Sequence, residues 1–213
     1  MAELTRYSYL IKVCAVTTVA DADVVADAGA NALGVILADS PRRVTLNTAA
    51  DICRSVEGRL ARVGVFRHSV YDEIARAVDA LELDALQVHG AMPDGVASLA
   101  RDRSLTLIEA LSVDDLDAAS GSGDVYLVDG FRPGSGEAHD WRAVTSRPWD
   151  RPLIVAGGLT VDTVADVVAT VGAWGCDVAS GTESSPGVKD RTKVESFVRR
   201  ARQYFEDREE HRD

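Results

Sequence analysis

Lysine is all but missing from this sequence: of its 23 basic residues only Lys12, Lys189 and Lys193 are lysines. Taken alone, so one-sided a use of arginine reads as a bias of composition and decides nothing about chemistry. Cysteine is little better represented. Cys14, Cys53 and Cys176 are odd in number and far apart. With no CxxC pair and no secretory leader, they exclude a disulfide framework and a zinc site and suit a reducing cytoplasm. A basic stripe is absent as well, and the formal net charge is −11. A duplex or other polyanion partner needs such a stripe, so nucleic acid is excluded while a small anion held at one local site is not. No apolar run approaches the roughly 20 residues of a membrane-spanning helix, and a membrane partner is not expected.

What is present is enough apolar material for a sizeable core: 46% of the 213 residues are hydrophobic, which suits one large domain spanning 1–213. Short aliphatic runs recur throughout, as YLIKVCAV, NALGVIL, ARVGVF, DALQVH, LTLIEA, DVYLVD, PLIVAG and CDVAS. Each reads as a buried parallel strand. Between them lie stretches with apolar residues three and four apart, among them TAADICRSVEG, VYDEIARAVDAL, TVDTVADVVATV and TKVESFVRRARQYF, which read as helices. SVDDLDAAS and DWRAVTS are shorter candidates. Eight strand-helix units in this length predict a single α/β domain, a (βα)8 TIM barrel. An open doubly wound sheet shares the alternation, but eight units without an inserted domain favour closure. The charged end, from about 206 to 213, reads as a frayed, solvated helix end.

In such a barrel the chemistry gathers where the strands end. The residues closing the runs are Cys14, Asp39 to Arg43, Arg67 and His68, Gln87 and His89, Glu109, Asp129, Gly157 and Gly158, and Ser180 to Glu183. AGGLT (156–160) sets paired glycines after the seventh strand, with Thr160 as an N-cap, and ASGTE (179–183) sets Ser-Gly after the eighth. Glycines let backbone N–H groups approach an anion, and the loops after strands seven and eight commonly hold phosphate in this fold. Either turn alone is equally a tight turn; the two together point to an anion.

Alternation puts Lys12 on the same side of the first strand as Cys14, with Asp177 on the adjoining eighth strand as its candidate partner. A cation beside the thiol favours thiolate, the form able to take a proton. Cys53 shares a helix face with Ala49, Ile52 and Val56, and reads with Cys176 as core filling. Asp129, at the end of an apolar run, is either a proton donor whose pKa is raised by its surroundings or a turn cap.

Together these motifs resemble the phosphoribosylanthranilate isomerases of tryptophan biosynthesis. The resemblance runs from Ile11 to about Phe197 and is carried by IKVCAVT, GANALGVILADSPRRV, RVGVF, LDALQVHG, YLVDGFRPGSGEAHDW, VAGGL and CDVASGTESSPGVKD. It implies a (βα)8 barrel and an Amadori rearrangement of N-(5-phosphoribosyl)anthranilate to 1-(2-carboxyphenylamino)-1-deoxyribulose 5-phosphate, with no cofactor and no metal. It places Cys14 as general base, Asp129 as general acid and Arg42 on the anthranilate carboxylate, where a guanidinium meets two oxygens at once. Arg43 beside it would be solvated or structural. Gly157, Gly158, Ser180 and Gly181 would take the phosphate, and Gln87 and His89 would line or support the site.

The chain departs from the family in places. Ala15 stands where glycine is usual, Pro133 sits in a shortened 130–136 loop, GVFRHS replaces an Asn-bearing ending, and Ala179 removes a hydroxyl from the phosphate loop. Two other readings share the barrel: a different phosphosugar isomerase or epimerase, and a barrel that binds anions without turnover. The first would want an acid where Cys14 stands, or a His and Asp cluster for a metal. The resemblance implies a small phosphoribosyl compound as the partner, and both a monomer and a homodimer are compatible with the sequence.

Overall fold

The computed structural model describes residues 3–130 and 141–211. Eight parallel strands, β1 (Leu10–Val13), β2 (Ala32–Ile36), β3 (Ala61–Arg67), β4 (Ala85–His89), β5 (Thr106–Ser112), β6 (Val125–Asp129), β7 (Leu153–Ala156) and β8 (Gly175–Val178), close into a ring in chain order. Closure is made by β1 against β8, with Lys12 opposite Asp177 and Val13 opposite Val178. The barrel reading therefore holds over the open sheet.

Helices α1 (Val19–Asp27), α2 (Leu46–Ser55), α3 (Tyr71–Ala80), α4 (Val96–Asp102), α5 (Arg142–Thr145), α6 (Val164–Val171) and α7 (Arg191–Glu210) follow the strands. One connection differs from the regular repeat. After β5 stands only a 3-10 turn, Leu116–Ala118, in the segment read as a short helix. Several helices start on the side chains that cap best: Thr18 accepts from the Asp21 N–H, Thr45 from Thr48, and Asp190 from Lys193.

Period-two alternation sorts the side chains into two cores. Ile11, Val13, Leu33, Val35, Leu86, Leu107 and Val128 face the helices. Leu10, Ala32, Val63, Ala85, Ile108, Leu127 and Ile154 fill the barrel. Leu4, from a 3-10 turn over Glu3–Arg6, closes the N-terminal end, its N–H donating to Thr106 Oγ1 at 3.1 Å. At the other end the inward positions turn polar, with Cys14, Arg67, His89 and Asp129 following Lys12, Val65, Gln87 and Leu127 along their strands.

Three expectations are corrected. Glu109 does not close a strand, because β5 runs on to Ser112. It faces outward, and its carboxylate accepts the Ser120 and Gly123 N–H groups, anchoring the loop that replaces a helix there. Thr160 is not the N-cap of α6: that helix begins at Val164 behind Thr163, and the Thr160 carbonyl opens the preceding turn. The charged end is a solvated helix end as read, mostly exposed from Glu206 to His211, but it is not frayed through its described part. Helix α7 continues to Glu210, and Arg208 donates to the Ala173 carbonyl at 2.7 Å while its guanidinium lies over Phe205.

Candidate active site

Cys14 follows β1 directly and stays in the ladder, its N–H donating to the Val178 carbonyl at 2.7 Å. Cys14 as a whole is 6% exposed. Beneath it Lys12, wholly buried, donates to Asp177 Oδ2 at 2.8 Å, as its register with β8 required. Gly34 on β2 makes room for both groups. A Cβ there would stand 2.9 Å from Cys14 Sγ and 3.1 Å from Lys12 Nζ, so the strand glycine marks a close approach.

The local charge does not leave a ready thiolate. Burial pushes the Cys14 thiol up, and Lys12 and Lys189 only partly offset it. The neighbouring cation does favour thiolate, as expected, but removal of water outweighs it. Lys12 itself is held charged against its burial by Asp177 and Cys14.

The next residue, Ala15, has φ 63°, in the left-handed region that costs a side-chain-bearing residue energy and suits glycine. The chain turns away from β1 at this point, which gives the Ala15 departure a structural meaning.

Asp129 ends β6, half-buried, on the far side of the ring from Cys14 by way of β8 and β7. The Pro133 loop that follows lies outside the described residues. Gln87 and His89 share a face of β4 and meet at 2.8 Å between Nε2 atoms. Burial, with Arg67 and Lys12 nearby, brings the His89 pKa down to about 3, so the ring is neutral and supplies no charge.

Both glycine turns come together as anticipated. Gly157 and Gly158 have φ 91° and 67°, and Gly181 is pressed so closely on Leu159 that a Cβ would run into the Leu159 carbonyl oxygen. No long helix starts at the second turn. Ser180–Thr182 is a 3-10 turn leading into a hairpin, β9 (Glu183–Ser185) with β10 (Val188–Lys189).

Arg42, in the loop after β2, is clamped by a residue to which the sequence assigned no role. Glu183 takes its side edge, with Nε at 2.8 and 3.1 Å from the two carboxylate oxygens and Nη2 at 2.7 Å. Lys189 stands 3.5 Å from the same carboxylate and donates to the Ala179 carbonyl and Thr182 Oγ1. Lys193 donates to the Glu183 carbonyl at 2.7 Å. All three lysines of the chain therefore converge on one quarter of the barrel. Cys53 and Cys176 are core filling, each raised in pKa by burial, Cys53 to about 11.

Arg43, exposed as anticipated, lines with Asp39, Phe66, Arg67, His68 and Glu73 an open cleft of about 780 Å³ between the loops after β2 and β3. Neither Cys14 nor Asp129 borders it. Among the described residues no group of His, Cys, Asp and Glu is arranged to hold a metal ion, and no helix is long and apolar enough to cross a membrane.

A closed (βα)8 barrel with a thiol, a carboxyl, a guanidinium and two touching glycine turns at its C-terminal end defines a class, that of barrel enzymes handling small anionic sugars. Comparison with known proteins narrows it. The model of the N-(5'-phosphoribosyl)anthranilate isomerase family matches residues 11–200, and the chain belongs to that family. It is 36% identical to the N-(5'-phosphoribosyl)anthranilate isomerase of Geotalea uraniireducens, over 90% of this chain and 98% of the relative. Its fold is similar to that of phosphoribosyl anthranilate isomerase from Thermotoga maritima, with TM-score 0.83 and 28% identity, covering 92% of this chain and 99% of that one. A phosphoribosyl anthranilate isomerase in complex with reduced 1-(o-carboxyphenylamino)-1-deoxyribulose 5-phosphate superposes with TM-score 0.79 and 27% identity, covering 92% and 99% of the two chains.

Proposed function

We propose that this chain isomerises N-(5-phosphoribosyl)anthranilate to 1-(2-carboxyphenylamino)-1-deoxyribulose 5-phosphate, in the cytoplasm, as a single barrel domain needing neither cofactor nor metal. The observation that carries the reading is the placement of Cys14 and Asp129 at inward positions on strands across the same barrel mouth. An Amadori rearrangement needs an acid and a base on opposite sides of the sugar. Asp129 protonates the ribose ring oxygen, and the C1'–O bond breaks as the anilino nitrogen forms the C=N bond. Cys14 then removes the C2' proton, leaving an enolamine, and a proton taken up at C1' with the 2'-hydroxyl proton released gives the C2' ketone and restores the acid and the base. No net proton or electron is gained or lost.

Arg42 is assigned to the anthranilate carboxylate, and Gly157, Gly158, Ser180 and Gly181 to the phosphate. The similar protein bound to the reduced product analogue supports a ligand with a carboxylate at one end and a phosphate at the other. Gln87 and neutral His89 support the wall between them.

The test follows the fall in anthranilate fluorescence when the purified protein meets freshly prepared N-(5-phosphoribosyl)anthranilate. Cys14→Ala and Asp129→Ala should each lose activity by roughly 10²-fold or more. Because the thiol is raised in pKa, the wild-type rate should climb with pH in the alkaline range. Wild-type-like turnover by both variants would sink the assignment of roles.

A further inference from the structure

Glu183 is more than a partner for a stray charge. Its carboxylate occupies the Nε and Nη2 edge of Arg42, and Nη1 makes no hydrogen bond among the described residues. A planar guanidinium held by one edge presents its other edge, Nη1 with the second Nη2 hydrogen, in a fixed direction. The exposures agree: the Arg42 side chain is 24% exposed and that of Glu183 4%. The carboxylate is the buried anchor and the guanidinium the part that reaches out.

The charges point the same way. One carboxylate, Glu183, faces two basic side chains, of which Arg42 is held charged by Glu183 while burial lowers the Lys189 pKa. Glu183 also directly follows the Ser180–Thr182 turn, and Lys189 grips that turn through the Ala179 carbonyl at 3.0 Å and Thr182 Oγ1 at 3.2 Å. The Glu183 carboxylate is thus connected to the arginine on one side and, through Lys189, to the glycine turn on the other.

We infer that Glu183 is a positioning residue: it aims the free edge of Arg42 at the substrate carboxylate and ties that clamp rigidly to the 179–183 turn through Lys189. The inference rests on the function proposed above, with Arg42 as the carboxylate clamp.

A double-mutant cycle on kcat and KM tests it, using wild type, Glu183→Gln, Arg42→Lys and the double variant, with melting temperatures taken alongside. Glu183→Gln should raise KM by about tenfold with a smaller change in kcat, as expected when a charge-assisted orienting contact is lost. In the Arg42→Lys background the same change should cost less than about twofold, because no guanidinium is left to aim. A substrate lacking the carboxylate, N-(5-phosphoribosyl)aniline, should register the Glu183 change weakly. Should Glu183→Gln fail to fold, Glu183→Asp keeps the charge but shortens the reach, and should raise KM partway.

Equal losses in both arginine backgrounds, or equal losses with and without the substrate carboxylate, would overturn the positioning role and leave the function standing. A folded wild type with no turnover would remove the function, and this inference with it.

Discussion

Two arginines in this barrel are each held edge-on by a carboxylate, and they do opposite jobs. At the N-terminal end Arg62 meets Asp84 through Nε at 2.8 Å and Nη2 at 3.0 Å, while Asp84 also accepts the Arg62 backbone N–H at 2.7 Å. The pair joins the start of β3 to the residue before β4. Its remaining nitrogen, Nη1, is buried and has only Glu82 at 3.5 Å for company. At the C-terminal end Arg42 meets Glu183 across 141 residues of sequence, ties one loop to another, and keeps its last nitrogen without a hydrogen bond among the described residues. The same geometry makes a staple where every donor is turned inward and a clamp where one edge is left over. In a (βα)8 barrel that division follows the two ends of the strands, stability at one and chemistry at the other.

Substituting each pair should separate these jobs. Arg42→Ala should lower kcat/KM per folded molecule by about 10²- to 10³-fold, the worth of a bidentate charge-assisted contact, and should also lower the melting temperature because buried Glu183 loses its partner. Asp84→Ala should affect stability alone. Leaving Arg62 without its partner should cost about 2 kcal/mol, roughly 5 °C in a chain of this size, while kcat/KM per folded molecule stays at the wild-type value. Thermal melts and the fluorescence assay on the same samples decide both, and an Asp84 variant that is stable but inactive would erase the distinction.

Acid sharpens it further. Burial alone would raise the Glu183 pKa, but Arg42 and Lys189 outweigh it and hold the carboxyl below its ordinary 4.5. A lowered folded pKa contributes stability that is present above the unfolded value and is lost as pH falls through the folded one. Melting temperatures measured below pH 4.5 should therefore fall less steeply in Glu183→Gln than in wild type.

The smallest effect belongs to Ala15. A left-handed alanine costs about 1–2 kcal/mol, and glycine gives back about 0.5–1 kcal/mol through its freer unfolded chain. Ala15→Gly should thus stabilise the protein by about 0.5 kcal/mol. A destabilised variant in chemical denaturation would mean that the alanine methyl packs in a way that outweighs the strain.

The fold was readable because its signals are local. Eight aliphatic runs with helical stretches between them, and glycines at two successive strand ends, specify strand, turn and layer without reference to distant residues. Lys12 and Asp177 were readable for a related reason: period two and the closing register of β1 with β8 bring them level. Glu109 and Thr160 misled because each boundary was read a few residues too early, and boundaries are the least determined part of any periodic pattern. The pairing of Arg42 with Glu183 was out of reach, since no periodicity relates two loops 141 residues apart. The rarity of lysine, with two of the three set close together at 189 and 193, carries no signal for that pair.

That rarity has a practical corollary. Lys12 lies under the thiol, Lys189 behind the carboxylate clamp, and Lys193 at the rim where α7 begins. Protein made with lysine labelled at Nζ would show three side-chain nitrogen resonances by NMR, all from this corner of the molecule, so a titration with any anion would be read at three depths with no background from elsewhere.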